Sequence, residues 1–448
     1  MRRRALALSL LLAVLAAALA WAGAAAPAAR TEERPFEVWA IDQSDTHPQG
    51  GGLLYIWQGA EMVRNPSAAV PEVIDLAQAA LAAGCPVGKR PHMGLAIEMP
   101  RPTHFVLANF ESGDVFFVHI DSRQVVGCVN LVGKGGVGSV RTHAAMPTPD
   151  LSMVIVADLG RPLPASNRGA IHKIRTDYAN DDYQYVETLD LGAALPQLGT
   201  TQARAVCVNF TPDSRFAYVT MQQGGVVVVD LGTADGSVPM SIVHVYPASV
   251  VPAEGCGAVP LPPDFRRMVI NSESRGQAGL PDRLYIFDTS GAAEGVFPDP
   301  VVIDLPGVDT HGTFYCIDHR GKLYVWTVMR MSNHVNVVDV EGARVVKTLK
   351  LERPFLPDPA PDGLELHGGH AFVTLRGPKP LSAMTASVNP ERTPGVLVMK
   401  VHRSCLTFDF DVKDRAPMVD GRTTTILFDG REVVVPASDP HGMDVIVR

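Results

Sequence analysis

One small device recurs along this chain. A polar residue followed by a small or flexible one opens a short strand, and about a dozen residues later a second, strongly apolar strand follows. The openings are His92-Met93, His143-Ala144, Arg204-Ala205, Cys256-Gly257, His311-Gly312, Asp362-Gly363 and His441-Gly442. The apolar strands are Phe105–Leu107, Val154–Val156, Phe216–Val219, Met268–Ile270, Leu323–Trp326 and Ala371–Val373. After His441 only the C-terminus remains, so the last opening must find its partner strands elsewhere in the chain.

Recurrence at roughly 50 to 60 residues is the spacing of propeller blades, because a single blade cannot bury both faces and needs a neighbour on each side. The predicted fold is all-β, a seven-bladed β-propeller of four-stranded blades. The unit that starts at Ala205 shows the strand pattern most clearly. It runs Ala205–Phe210, the turn Thr211-Pro212-Asp213-Ser214, then Phe216–Thr220, Gly225–Asp230 and Met240–Val245. Each run is β-branched or aromatic and is bounded by turn formers. For the last blade, Phe36–Ile41, Leu53–Trp57 and Pro71–Leu76 supply three strands and His441–Val447 the innermost one. Joining the N-terminal strands to the C-terminal strand closes the ring and removes the free edges. One domain is expected over residues 31–448, with insertions near 77–90 and 411–437, the second containing a hairpin at Asp429-Gly430.

The N-terminus reads as a leader over residues 1–22. It has a basic start at Arg2, Arg3 and Arg4, an apolar run from Ala5 to Leu19, and a small-x-small site at Ala20-Trp21-Ala22. This predicts a periplasmic or secreted protein with no membrane span in the mature chain. The formal charge is −8 and becomes more negative once those arginines leave, which argues against nucleic acid as a partner. Of the six cysteines, Cys128, Cys207, Cys316 and Cys405 sit in apolar strand patterns and read as buried thiols. Cys85 and Cys256 lie in loops, where they could pair with each other or act separately.

If the register is right, His92, His143, His311 and His441 point into one channel with Asp362, Cys256 and Arg204. His367, beside Gly368-Gly369, is a further candidate. Imidazole with carboxylate suits copper, zinc, iron or nickel. The expected metal ligands are therefore His92, His143, His311, His441, Asp362, Cys256 and His367. Asp362 and Arg204 are the catalytic candidates, the first as ligand or general base and the second as holder of an anion or as a tie to the neighbouring blade. Glu98, Asp444 and Glu365 are the acidic groups expected to orient the imidazoles.

The segments Pro91-His92-Met93, Thr142-His143-Ala144 with Thr148-Pro149-Asp150, Phe210–Val219 and Pro440-His441-Gly442 resemble the repeats of YVTN (YncE-like) propellers. That resemblance spans nearly the whole mature chain and implies the same seven-bladed fold. Similar scaffolds include noncatalytic binding propellers, lactonases, and the redox propellers of nitrous oxide reductase, thiocyanate dehydrogenase and the d1 domain of cytochrome cd1. In the copper members of that group, histidines of the innermost strands converge on a metal cluster at one channel mouth.

The chain departs from its redox relatives in having no Cys-x-x-Cys-His, no second cupredoxin domain and no adjacent His-His pair, so neither haem nor a nucleotide cofactor is expected. The reading is a copper-dependent oxidoreductase of a small-molecule or anionic substrate, with a periplasmic electron carrier as partner. The alternative is a noncatalytic scaffold that binds a protein, cell-wall or small-molecule partner, consistent with the absence of a Gly-x-Ser-x-Gly nucleophile signature. A lactonase-like role on an acidic metal site is less well served by a ring made mainly of imidazoles.

Overall fold

Alternation along each blade's second strand sets the architecture. Phe105 and Leu107 face one way and Val106 and Ala108 the other, and all four are fully buried. A strand that is apolar on both faces must be covered on both faces. Here Phe105 and Leu107 pack with Trp39 and Leu54, while Val106 and Ala108 pack with Val154 and Val156. The same division holds around the molecule, with an apolar cluster between each blade and the next.

The computed structural model describes residues 34–96, 102–136, 141–160, 167–274, 279–381 and 388–448. The leader over residues 1–22 and Glu98 lie outside these. The compact unit runs from Pro35 to Arg448 and is the seven-bladed propeller expected. From the centre outwards, blade one is Pro91–Ala96, His104–Asn109, Asp114–His119 and Gln124–Asn130. Blade two runs from Thr142–Pro147 to Asp182–Asp190, blade three from Ala205–Phe210 to Ser241–Tyr246, blade four from Ala258–Leu261 to Val301–Leu305, and blade five from Thr310–Ile317 to Arg344–Lys350. All pairings are antiparallel, and each innermost strand contacts the innermost strand of the next blade around the full circle. Blade seven is closed as expected, with Phe36–Asp42 pairing Leu53–Gln58 on one side and Pro440–Val447 on the other.

Blade six differs from the expected pattern. Its third strand, Gly395–Val401, pairs with two short pieces, Phe408–Asp409 and Arg415–Pro417. Part of the 411–437 segment read as an insertion is therefore the blade's own outer strand. The hairpin Thr423–Phe428 with Arg431–Pro436 remains separate, turned by Asp429 and Gly430 at φ of 49° and 73°. The insertion expected near residue 77 opens with a helix, Leu76–Ala82, capped by Asp75, whose carboxylate accepts from the Ala77 and Gln78 amides. Among the described residues, no helix is long and apolar enough to cross a membrane.

The cysteine expectation fails. All six are paired, as Cys85–Cys128, Cys207–Cys256 and Cys316–Cys405. Each bond is long-range, joining residues 43, 49 and 89 positions apart. A cysteine in an apolar alternation reads as a core thiol because the sequence does not show which distant strand will lie beside it.

Candidate metal centre

A recurring bulge sets the site. In blade one, the innermost strand pairs Pro91 with Asn109 and then Gly94 with Leu107, so His92-Met93 oppose a single residue. The same irregularity falls at His311-Gly312, Asp362-Gly363 and His441-Gly442, and at His143 in blade two. A bulge bends its strand and re-aims the extra side chain. Here it leaves the first bulged residue at the channel mouth, with a glycine behind it at His311, Asp362 and His441. Gly312 has no room for a Cβ, which would meet the Asp362 carbonyl oxygen of the next blade at 2.3 Å, and at Gly363 one would crowd the His441 carbonyl oxygen at 3.1 Å.

Blade three corrects the sequence register. Its bulged pair is Val206-Cys207, not Arg204-Ala205. Arg204 thus lies two residues before the ring position, where Arg90 and Arg141 stand in blades one and two. It is buried, its Nε donates to the Leu159 carbonyl at 2.6 Å, and its Nη2 has no hydrogen-bond partner among the described residues. Arg204 therefore ties blade three to blade two through a carbonyl rather than a salt bridge. Burial, then Arg141, lowers its pKa.

Four imidazoles converge. His92 Nε2 lies 3.1 Å from His143 Nε2 and 3.2 Å from His441 Nε2. The ring centroids of His311 and His441 are 5.2 Å apart. His92, His311 and His441 are buried and His143 is partly so. Asp362 stands behind two of the rings. Its Oδ1 meets His311 Nδ1 at 2.5 Å and its Oδ2 meets His441 Nδ1 at 2.7 Å. Arg376 Nη1 adds a contact to Oδ2 at 2.5 Å and Arg330 Nη1 one to Oδ1 at 3.4 Å. A carboxylate has about four lone-pair directions and these partners take them up, so Asp362 is held where it orients both imidazoles.

The hydrogen bonds fix the tautomers. Gln43 Nε2 donates to Asp439 Oδ2 at 3.2 Å, which turns Gln43 Oε1 toward His92 Nδ1 at 2.9 Å. An amide oxygen accepts only, so His92 carries its proton on Nδ1 and leaves Nε2 bare. Burial raises the Asp362 pKa, but His311, His441, Arg376 and Arg330 outweigh it and hold the carboxyl well below the usual range. His441 must then donate through Nδ1, and its Nε2 is bare as well. Two unprotonated nitrogens thus face each other at 3.2 Å. A shared proton would relieve the contact, yet burial, then His441 and His143, holds His92 well below the usual imidazole range. Burial likewise lowers His441 to about 4, against the opposing pull of Asp362. A cation between them would relieve it as well, and among the described residues His311, Asp362 and His441 are one of two clusters with ligand atoms close enough together to hold one. Imidazoles sharing one ion at about 2.0–2.1 Å per bond stand about 3.3 Å apart in a tetrahedral shell, close to the observed spacings.

Behind the ring lies an ion-pair layer that the sequence reading missed. Arg376 Nε and Nη2 grip Asp439 at 2.7 and 2.8 Å. Arg330 grips Asp309 at 2.9 and 2.8 Å and reaches Glu273 at 2.8 Å. All five are buried. Arg330 and Arg376 each directly follow their blade's second strand, as do Gln43, Phe110 and Glu273. That shared position was the available signal. The acidic groups nominated to orient the imidazoles act elsewhere: Asp444 accepts from the Ala96 amide and Glu365 from the Val445 amide, both tying innermost strands together.

His367 does not join the site. It ends the innermost strand that Asp362 begins, about 17 Å further along at 3.3 Å per residue. There it packs on Phe36, ring centroids 4.6 Å apart, beside a surface cleft lined by Phe314, His319 and His402. Cys256 reaches the mouth, but bonded to Cys207, whose Sγ is 3.9 Å from His143 Nδ1.

No protein-family model matches the chain, and no curated protein matches it in sequence. Solved structures do. The dihydro-heme d1 dehydrogenase NirN in complex with DHE is 13% identical, covers 91% of this chain with 74% of its own, and superposes with a TM-score of 0.52. The periplasmic gluconolactonase PpgL of Pseudomonas aeruginosa is also 13% identical, with coverage of 92% and 100% and a TM-score of 0.55. At that identity the likeness is one of fold.

Proposed function

We propose that this chain is a periplasmic or secreted metalloprotein whose channel mouth holds copper and acts as an oxidoreductase on a small anionic substrate. The observation that carries the reading is the convergence of His92 Nε2 and His441 Nε2, 3.2 Å apart in a buried site. His143 Nε2 completes a row of three, with His311 beside it as a fourth candidate. An all-imidazole set admits zinc or iron, but copper stands at the top of the affinity order for such nitrogen sites. Bound copper would supply one-electron chemistry and Lewis acidity.

The rest falls to the chain's own groups. Asp362 and Gln43 hold the rings with Nε2 toward the mouth. The buried Arg330 and Arg376 keep Asp362 ionised, so the tautomers persist at neutral pH. Arg204, with its unpartnered Nη2, would hold the anion. Electrons would leave to a separate periplasmic carrier. The leader pattern over residues 1–22 and the likeness to a periplasmic gluconolactonase support the compartment.

The test is elemental analysis of protein expressed with copper and purified without chelator. At least about one equivalent of copper is expected, falling sharply when His92 and His441 are both replaced by Ala; less than about 0.3 equivalents of any transition metal in the parent protein overturns the reading.

A further inference from the structure

Blades three and four bring sulfur to the ring where their neighbours bring imidazole. Cys207 belongs to the bulged pair of blade three and Cys256 to the opening of blade four, and their bond joins the two blades. His143 Nδ1 is 3.9 Å from Cys207 Sγ, and one ligand atom each of His143, Cys207 and Cys256 fall within 4.8 Å of one another. Among the described residues, no other disulfide shares such a group with an imidazole. The other face of the same ring, Nε2, is 3.1 Å from His92 Nε2.

We infer that Cys207 and Cys256 are a reversible redox pair which, once reduced, forms with His143 Nδ1 a second and softer metal site. Reduction is thiol–disulfide exchange with a dithiol donor. Two electrons and two protons pass to the pair, the donor closes its own disulfide, and two thiols remain in the channel wall. A divalent or cuprous ion then displaces both thiol protons and binds two thiolates and the Nδ1 lone pair, a donor set that suits zinc and copper(I). Because a neutral imidazole carries one proton, ligation through Nδ1 puts that proton on Nε2, where it can be donated to His92 Nε2. The oxidation state of the sulfur pair thus decides whether His143 serves the row of three or the thiolate site.

The inference shares only His143 with the proposed channel centre, and the two fail separately. Metal bound by the oxidised protein tests the channel; what is gained on reduction tests the sulfur pair. The experiment loads full-length protein with Zn2+ or Co2+ alone, before and after treatment with dithiol, and maps free thiols by alkylation and mass spectrometry. Reduction should free Cys207 and Cys256, add about one Zn2+ per chain, and give the Co2+ form a sulfur-to-metal charge-transfer band. The gain and the band should vanish in Cys256→Ser and weaken in His143→Gln, with circular dichroism confirming that each variant is folded. A Cys207–Cys256 bond that resists dithiol in the native protein, a reduced protein without the band, or a gain that survives in Cys256→Ser overturns the inference.

Discussion

His441 touches each component that gives the mouth its chemistry: Asp362 on Nδ1, His92 on Nε2, Arg376 at 3.3 Å and His311 ring to ring. Burial in that company lowers its pKa to about 4. The metal-free protein should therefore depend on pH in a set direction. Between about 6.5 and 4 the unfolded chain binds a proton on this residue that the folded chain refuses, so stability rises with pH. The contribution is complete above about 6.5 and is lost as pH falls toward 4, by about 3 kcal/mol at one pKa unit per 1.4 kcal/mol. Asp42 acts in the opposite sense, since burial raises its carboxyl to about 6. The difference between the parent and His441→Gln therefore isolates the histidine. Urea unfolding midpoints across that window should converge as pH falls toward 4. A gap that does not change with pH refutes the assignment.

At the scale of the strand, the bulge explains both what the sequence showed and what it hid. Pairs of a polar residue with a small or flexible one located His92, His143, His311, Asp362 and His441 because each falls at a bulge of its innermost strand. In blade three the polar-then-small pair Arg204-Ala205 is followed at once by Val206-Cys207, and it is the second, apolar-first pair that bulges. That choice is made by pairing with Phe216–Met221, where Thr220 Oγ1 accepts from the Cys207 amide. Arg330 and Arg376 were hidden for a different reason. An arginine after a strand looks like a surface cation until the ring closes and delivers Asp309, Asp439 and Asp362 to it. Arg376→Met should cost about 3–5 kcal/mol, because it leaves Asp439 a buried anion without its guanidinium and Asp362 with Arg330 alone at 3.4 Å. Arg376→Lys should recover only part of that, since an ammonium cannot span both carboxylates as the guanidinium does. Denaturant midpoints check both, and a loss below about 1 kcal/mol for Arg376→Met would show that the layer is dispensable.

For the whole molecule, the closure was legible because the seventh opening had no strand after it, and a ring can be completed only from the other end. Pro440–Val447 is the innermost strand of blade seven and also carries His441. It contacts the innermost strands of blades six and one, and Thr374 Oγ1 donates to the His441 carbonyl across the first of those boundaries. Ending the chain at Ser438 therefore removes an imidazole and the Asp439 carboxylate, opens two blade boundaries, and bares the edge of Phe36–Asp42, a strand that is buried along its length. An exposed apolar edge of that kind recruits other chains. The truncated protein should aggregate or unfold without a cooperative transition, and a synthetic peptide of residues 439–448 supplied during refolding should restore both the transition and metal uptake. Restoration of the transition by a peptide with His441→Ala, but without the metal, would separate the strand's two roles. If the truncated chain alone keeps the parent's unfolding midpoint, the ring does not depend on its last strand, and the channel mouth would have to be assembled without it.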